Sequence, residues 1–280
     1  MAAAKKISQP LESFRGSLLL VGAGKMGGAM LDGWLSRGLW PKAVAVLEPQ
    51  PSGRVNMLAR RGVKLNAEAD KSKPSVVVIA VKPQDAASTI HSLTPRIGKP
   101  SLVISIMAGR TIAFLADGLP KGTAIVRAMP NLPAAIGRGI TVTVPNRHVT
   151  DAQRKIATEL LAACGKVEWV QDEKLLDAVT AVSGSGPAYV FLLAEALTGA
   201  AVAAGLPGPL AAKLARETIA GAGELMRGSK LDAATLRKNV TSPGGTTAAA
   251  LDVLMGPGGF ETLLETAVAK ATRRSRELAG

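Results

Sequence analysis

The chain predicts a doubly wound α/β sheet followed by an all-α domain, and three observations carry that reading. Short Val/Ile/Leu runs alternate with helical segments through the first 170 residues. A glycine-rich turn, Gly22–Gly27, links the first run to the first helix. Beyond residue 170 the strand signals stop and long helical patterns follow, separated by Gly/Pro breaks. Alternation of this kind marks an α/β sheet, and the change of period marks a second domain.

Ser17–Val21 is the first expected strand, with a helix over Met26–Leu35. Lys42–Leu47 is the second, ended by Glu48 and Pro49. Ser75–Val81 is stopped by Lys82 and Pro83 and followed by a helix through Ala86–Leu93. Ser101–Ile106, Thr123–Arg127 and Gly139–Val144 extend the series. Unbroken apolar runs suit strands covered on both faces, and the intervening helices imply parallel pairing. In the second half, helices are expected at Glu173–Val182, Ala188–Ala204, Leu210–Met226 and Phe260–Leu278, with breaks at Gly205–Pro209 and Gly256–Gly259.

Composition narrows the chemistry. With 47% hydrophobic and 20% charged residues the chain can bury a core. One cysteine, Cys164, forbids an internal disulfide, and with only His91 and His148 no Cys- or His-built metal centre is expected. The net charge of +13 raises the question of nucleic acid, but aromatics are only 3% and the basic residues are dispersed, Arg273, Arg274 and Arg276 being the nearest to a cluster. A solvated surface that steers anionic small ligands fits better, with no nucleic-acid partner. Met1–Phe14 lacks the apolar run of a signal peptide and reads as a loose tail. Ala188–Ala204 carries Glu195 and is shorter than the about 20 residues of a spanning helix, so no membrane is expected and the location is cytoplasmic. That helix is apolar all round and must be enclosed, which one small helical domain hardly achieves; a homodimer is expected.

Gly22-Ala23-Gly24-Lys25-Met26-Gly27 fits G-x-G-x-x-G between a strand and a helix, the setting in which the motif grips a pyrophosphate. Gly22 allows the tight turn, Gly24 the close approach of a phosphate, and Gly27 the packing of helix on strand. Residues 15–170 thus read as a Rossmann-type dinucleotide-binding domain, and 171–280 as a helical dimerisation and substrate domain. Glu48 at the end of the second strand would bond ribose hydroxyls and favour NADH, whereas Arg54, with Gln50 and Ser52, could hold the 2′-phosphate of NADPH; both cofactors stay open.

Reduction of a ketone calls for a positioned acid. Tyr189 is the only tyrosine, no lysine stands four residues after it, and His91 and His148 read as structural or exposed. The turn Ser183–Pro187 opens the apolar helix without a following lysine, and Glu195 reads mainly as a packing residue. A protonated imine already holds its proton and develops no oxyanion on hydride addition, so it suits such a site. Asn239–Thr247 precedes a helix through Ala248–Leu254, and with Ser242 or Thr246 as N-cap its amides and hydroxyls would converge on a carboxylate.

Taken in order, GAGKMG from Gly22, AVKPQ from Ala80, SIMAG from Ser105, RAMPNLP from Arg127, AVTAVSGSGPAYVFLLAEAL from Ala178 and NVTSPGGTT from Asn239 resemble pyrroline-5-carboxylate reductase over nearly the whole chain. The resemblance implies reduction of 1-pyrroline-5-carboxylate to L-proline, and a C-terminal dimerisation domain in homodimers often joined as rings, such as a decamer. It implies NADPH or NADH along Gly22, Ala23, Gly24, Lys25, Met26 and Gly27, to which the reading of the second strand's end adds Glu48, a departure from the small polar or basic residues of many relatives. Ala80, Val81, Lys82, Pro83, Ile106, Met107 and Ala108 complete the cofactor set, with Asn239 at the nicotinamide end. The substrate, a cyclic imine carboxylate, would meet Ser242, Gly245, Thr246 and Thr247 on the loop of a partner subunit, Thr247 serving catalysis by bonding the ring nitrogen, and Glu173 matches a further position associated with product binding. A β-hydroxyacid dehydrogenase or a dinucleotide-sensing protein without activity are the competing readings.

Overall fold

In the computed structural model, residues 11–67 and 73–279 are described. They form two compact units, one of residues up to Gly184 with the segment from Arg273, the other Ser185–Thr272. The units therefore divide later than residue 170, and the last turns of the chain return to the first unit.

The first unit is built on β1 (Leu18–Val21), α1 (Lys25–Ser36), β2 (Val44–Leu47), α2 (Gly53–Arg60), β3 (Lys64–Leu65), β4 (Val76–Ile79), α3 (Ala86–Leu93), β5 (Leu102–Ser105), α4 (Ile112–Gly118), β6 (Ala124–Met129), β7 (Gly139–Pro145), α5 (Asp151–Ala162), β8 (Gly165–Trp169) and α6 (Leu175–Val179). Among the described residues the sheet has eight strands in the order β3-β2-β1-β4-β5-β6-β7-β8. Its strands are parallel from β3 through β6.

The apolar runs are continuous because the strands are covered on both faces. Leu18, Leu20, Val76, Val78, Leu102 and Ile104 face a core completed by Met30, Leu31 and Trp34 of α1, Leu58 of α2 and Leu160 of α5. Leu19, Val21, Val77, Ile79, Val103 and Ile125 face Ile90 of α3 and Leu115 of α4. Trp34 is fully buried, and its indole N–H donates to the Leu160 carbonyl at 2.8 Å, so the ring adds apolar area without an orphaned donor. Local chemistry sets the helix starts. Thr150 and Gln153 form a reciprocal capping box on α5, and Ser52 and Thr111 accept from Val55 and Phe114 amides on α2 and α4.

Three expectations are corrected. Gly139–Val144 does not continue the parallel series: β7 runs antiparallel to β6, because the connection 130–138 is shorter than the dozen or so residues a parallel crossover takes. Leu11–Phe14 is not loose tail. Leu11 is buried, its amide donates to the Arg37 carbonyl, and Phe14 packs against the same core; the remainder of the expected tail, 1–10, lies outside the described residues. Ser183–Pro187 is not a turn but continues the helical path from α6 as a π-helical turn, Thr180–Gly184, into α7 (Gly186–Ala203).

The second unit holds α7, α8 (Gly208–Gly228), α9 (Ala233–Asn239), α10 (Thr246–Leu254) and the start of α11 (Phe260–Ala279). Asp232 caps α9, and its carboxyl is held below the usual range by the hydrogen bond from the Thr235 amide. Val190, Phe191, Leu192 and Leu193 of α7 stand exposed. The helical run Leu175–Ala203 is 29 residues, long and apolar enough by length and composition to cross a membrane; the shorter span expected from the sequence does not exclude it.

Cys164 is buried with its thiol near the Ala29 carbonyl, and burial pushes its pKa up to about 11. The neutral thiol contributes stability fully below the unfolded value, and that contribution is lost as pH rises toward about 11. A thiol reagent at pH 8 is expected to label the native protein at least about a hundredfold more slowly than the chain in denaturant. Comparable labelling rates would show that the thiol is accessible.

Candidate active site

Three candidate cofactor segments leave the sheet side by side. Val21, Ile79 and Ser105 are in register on β1, β4 and β5, so Gly22, Ala80 and Ile106 emerge together at the carboxyl edge. The pairing continues past the strands: the Ala80 amide donates to the Val21 carbonyl at 2.8 Å and the Ile106 amide to the Ile79 carbonyl at 3.0 Å. β2 and β4 flank β1, so the chain reverses direction of travel across the sheet here. That topological switch point is where ligands bind in open α/β sheets.

The glycine turn fits a dinucleotide for steric reasons. Gly22 has φ +88°, and a Cβ there would lie 2.7 Å from the Ala80 carbonyl oxygen. A Cβ on Gly27 would overlap the Gly22 carbonyl. Gly24 differs: a Cβ there would meet nothing within 4 Å, so its hydrogen faces open space that a phosphate can fill. Gly24 is the N-cap of α1 and offers no side-chain cap. The first-turn amides of Lys25, Met26 and Gly27 are thereby left to an anion.

Glu48 is fixed against this turn. One carboxylate oxygen accepts from the Ala23 amide at 2.8 Å and the other from the Gln50 amide at 3.0 Å. Asn66, at φ 49°, clamps the Glu48 backbone through both amide atoms of its side chain. The basic alternative is already engaged: Arg54 donates Nε and Nη2 to Asp32, which raises its pKa, and Ser52 is the α2 cap. Val81 lines the glycine turn, Lys82 is exposed ahead of a short 3₁₀ turn at Pro83, and Ala108 is exposed. Met107 is a partial correction, since its side chain is buried in the core and only its backbone can face a ligand.

Glu173 is tied into the same unit. Its Oε1 accepts from Arg127 Nη1 and from the Ile112 amide, both at 2.8 Å, joining β6 to the first turn of α4. Arg127 is almost fully buried, and breaking a buried pair costs about 3–5 kcal/mol, so this bond has a structural duty.

In the second unit, Ser242–Gly245 forms a turn closed by the Gly245 amide on the Ser242 carbonyl at 3.0 Å, with Pro243 second and Gly244 third at φ +69°. That pattern is a type II turn, which needs a positive φ at its third residue. The cap of α10 is Gly245 rather than Ser242 or Thr246, and it supplies no side-chain bond. Thr246 and Thr247 are instead the first helical residues, so their hydroxyls stand beside free first-turn amides. Asn239 ends α9 just before this turn.

Sequence reasoning missed Asn66, Asp32 and Arg110. Asn66 could have been suspected, because asparagine is one of few residues that accept a left-handed backbone. The partners of Arg54 and Arg110 lie at separations of 22 and 27 residues, with no local signal.

Sheet order and glycine turn define a Rossmann-type dinucleotide-binding protein with an appended helical unit. A family model described as pyrroline-5-carboxylate reductase dimerisation matches residues 173–278, and one described as NADP oxidoreductase, coenzyme F420-dependent, matches 17–109. The chain is 41% identical to a pyrroline-5-carboxylate reductase of Mycobacterium tuberculosis, over 93% of this chain and 96% of that one. It is 38% identical to that of Pseudomonas aeruginosa, over 94% and 96%. Among solved structures it is similar to the reductase of Coxiella burnetii, with TM-score 0.88, 32% identity and coverage of 95% and 100%. A second is the Plasmodium falciparum enzyme with NADP bound, at TM-score 0.79, 28% identity and coverage of 95% and 99%. The chain belongs to the pyrroline-5-carboxylate reductase family.

The steric contrast between two glycines gives a test. Gly24→Val should leave the thermal midpoint nearly unchanged and weaken dinucleotide binding at least about tenfold, whereas Gly22→Ala should lose roughly 2 kcal/mol or more of stability. Equal destabilisation by both would remove the assignment of open space at Gly24.

Proposed function

We propose that this chain reduces 1-pyrroline-5-carboxylate to L-proline with NADPH or NADH. The observation that carries the reading is the meeting of the Gly22, Ala80 and Ile106 segments at the switch point of the sheet, in a chain of this family. The bound dinucleotide supplies a hydride. The protein's part is to hold and orient. The Gly24–Gly27 backbone grips the pyrophosphate, Glu48 reaches the adenosine ribose, and Ala80–Pro83 with Ile106–Ala108 form the floor toward the nicotinamide.

The substrate end falls to the turn before α10. The amides of Thr246 and Thr247 and the hydroxyls of Ser242 and Thr246 bind the carboxylate, and the Thr247 hydroxyl bonds the ring nitrogen. Asn239 lies toward the nicotinamide, and Glu173 supports the wall through its bonds to Arg127 and Ile112. No strong acid is needed beside a protonated imine, whose positive charge the hydride quenches. A β-hydroxyacid dehydrogenase would need a lysine on the helix after the Ser183–Pro187 segment, and α7 carries none.

The exposed apolar side chains of α7 are covered, in this reading, by a second copy of the chain rather than by a bilayer. The match of 173–278 to a dimerisation domain supports a homodimer. The turn before α10 then serves the partner's cofactor, rings of dimers up to a decamer extend the assembly, and the location is cytoplasmic.

Purified protein mixed with the cyclic imine and either reduced cofactor should oxidise it, as followed by nicotinamide absorbance. Thr247→Val should lower kcat/KM for the imine by about tenfold to a hundredfold, the loss of one or two hydrogen bonds, with dinucleotide affinity unchanged. No oxidation with either cofactor, or equal loss of dinucleotide binding in the variant, would overturn the proposal.

A further inference from the structure

We infer that Arg110 is a positioning residue that sets the spacing of the two loops flooring the dinucleotide; this rests on the cofactor reading above. The loops follow β4 and β5. One runs from Ala80 to Pro83 and the other from Ile106 to Ala108; backbone pairing joins them at their start, where the Ile106 amide donates to the Ile79 carbonyl, and beyond the sheet a side chain has to link them.

Arg110 makes that link. Its Nε and Nη2 both donate to the Pro83 carbonyl, at 3.1 and 2.9 Å. The guanidinium also stacks on Phe114 of α4, 4.8 Å from the ring centroid. A planar fork on a single oxygen, seated on an aromatic face, fixes both distance and direction, which a flexible ammonium cannot do. The far side of the loop is held as well. Gly109 has φ +68°, and a Cβ there would lie 3.1 Å from the Leu278 carbonyl oxygen. Leu278 belongs to the last turns of α11, which Ser275 anchors by donating to Asp177 at 2.7 Å. The loop after β5 is thus gripped between the end of the chain and the loop after β4.

A floor set in advance costs nothing to order when the dinucleotide arrives. Freed of Arg110, the loops would be ordered at the expense of binding, and the loss should fall on the cofactor rather than on the imine.

The test uses Arg110→Met, which keeps the stem against Phe114 but removes the donors, with Arg110→Lys returning one donor and Ala108→Trp placing a large ring on the exposed floor. Dissociation constants for NADPH are measured by fluorescence titration, and the imine KM at saturating NADPH. Arg110→Met should raise the NADPH dissociation constant about tenfold with the imine KM within about twofold, and Arg110→Lys should recover part of the loss. An unchanged dissociation constant, or a proportional rise in both constants with a lowered thermal midpoint, overturns the role of Arg110. If Ala108→Trp binds NADPH normally, the floor itself is misassigned and the inference falls with it. If Ala108→Trp weakens NADPH and Arg110→Met does not, only the claim for Arg110 fails.

Discussion

Where the chain leaves β1, its backbone passes so close to Ala80 that no side chain fits, and the site is arranged around that approach. The Gly22 carbonyl in turn excludes a Cβ at Gly27, so strand, turn and helix lock together through three positions without side chains or with a methyl only. This close packing aims the start of α1 at the crevice between β1 and β4. The neighbouring segments take their places from that direction: Glu48 bonds to the turn, Asn66 to Glu48, and the β4 and β5 loops continue the same ladder.

The second constraint is electrostatic. A carboxylate, Glu48, sits at the amide of Ala23 where a helix N-terminus concentrates positive potential. The nearby cation, Arg54, is bound to Asp32 and so offers less to a 2′-phosphate than its position in the sequence suggests. The end of β2 thus carries a carboxylate held by backbone amides, and the nearest cation is committed to an ion pair between α1 and α2.

Much of this was legible in the sequence. Runs such as Val76–Ile79 show no alternation because both faces are covered, and G-x-G-x-x-G between strand and helix marked the crevice. The direction of β7 was not legible, because apolar runs look alike in either direction and only the short 130–138 connection decides it. Nor was the cap of α10. Ser242 and Thr246 are the better capping residues by type, but Pro243 and Gly244 spend Ser242 on a type II turn and leave Gly245 at the cap. The arginines were hardest, since a long side chain reaches partners whose separation in sequence carries no pattern. Composition also misjudged the length of the apolar helix, because Ser183–Pro187 reads as a turn yet the backbone carries the helix through it.

A crystal grown with NADPH and L-proline tests the central claim most directly. Pyrophosphate density is expected within hydrogen-bonding distance of the Gly24–Gly27 amides, and the proline carboxylate on the turn that opens α10. Nucleotide density elsewhere on the chain, with solvent over Gly24, would contradict it.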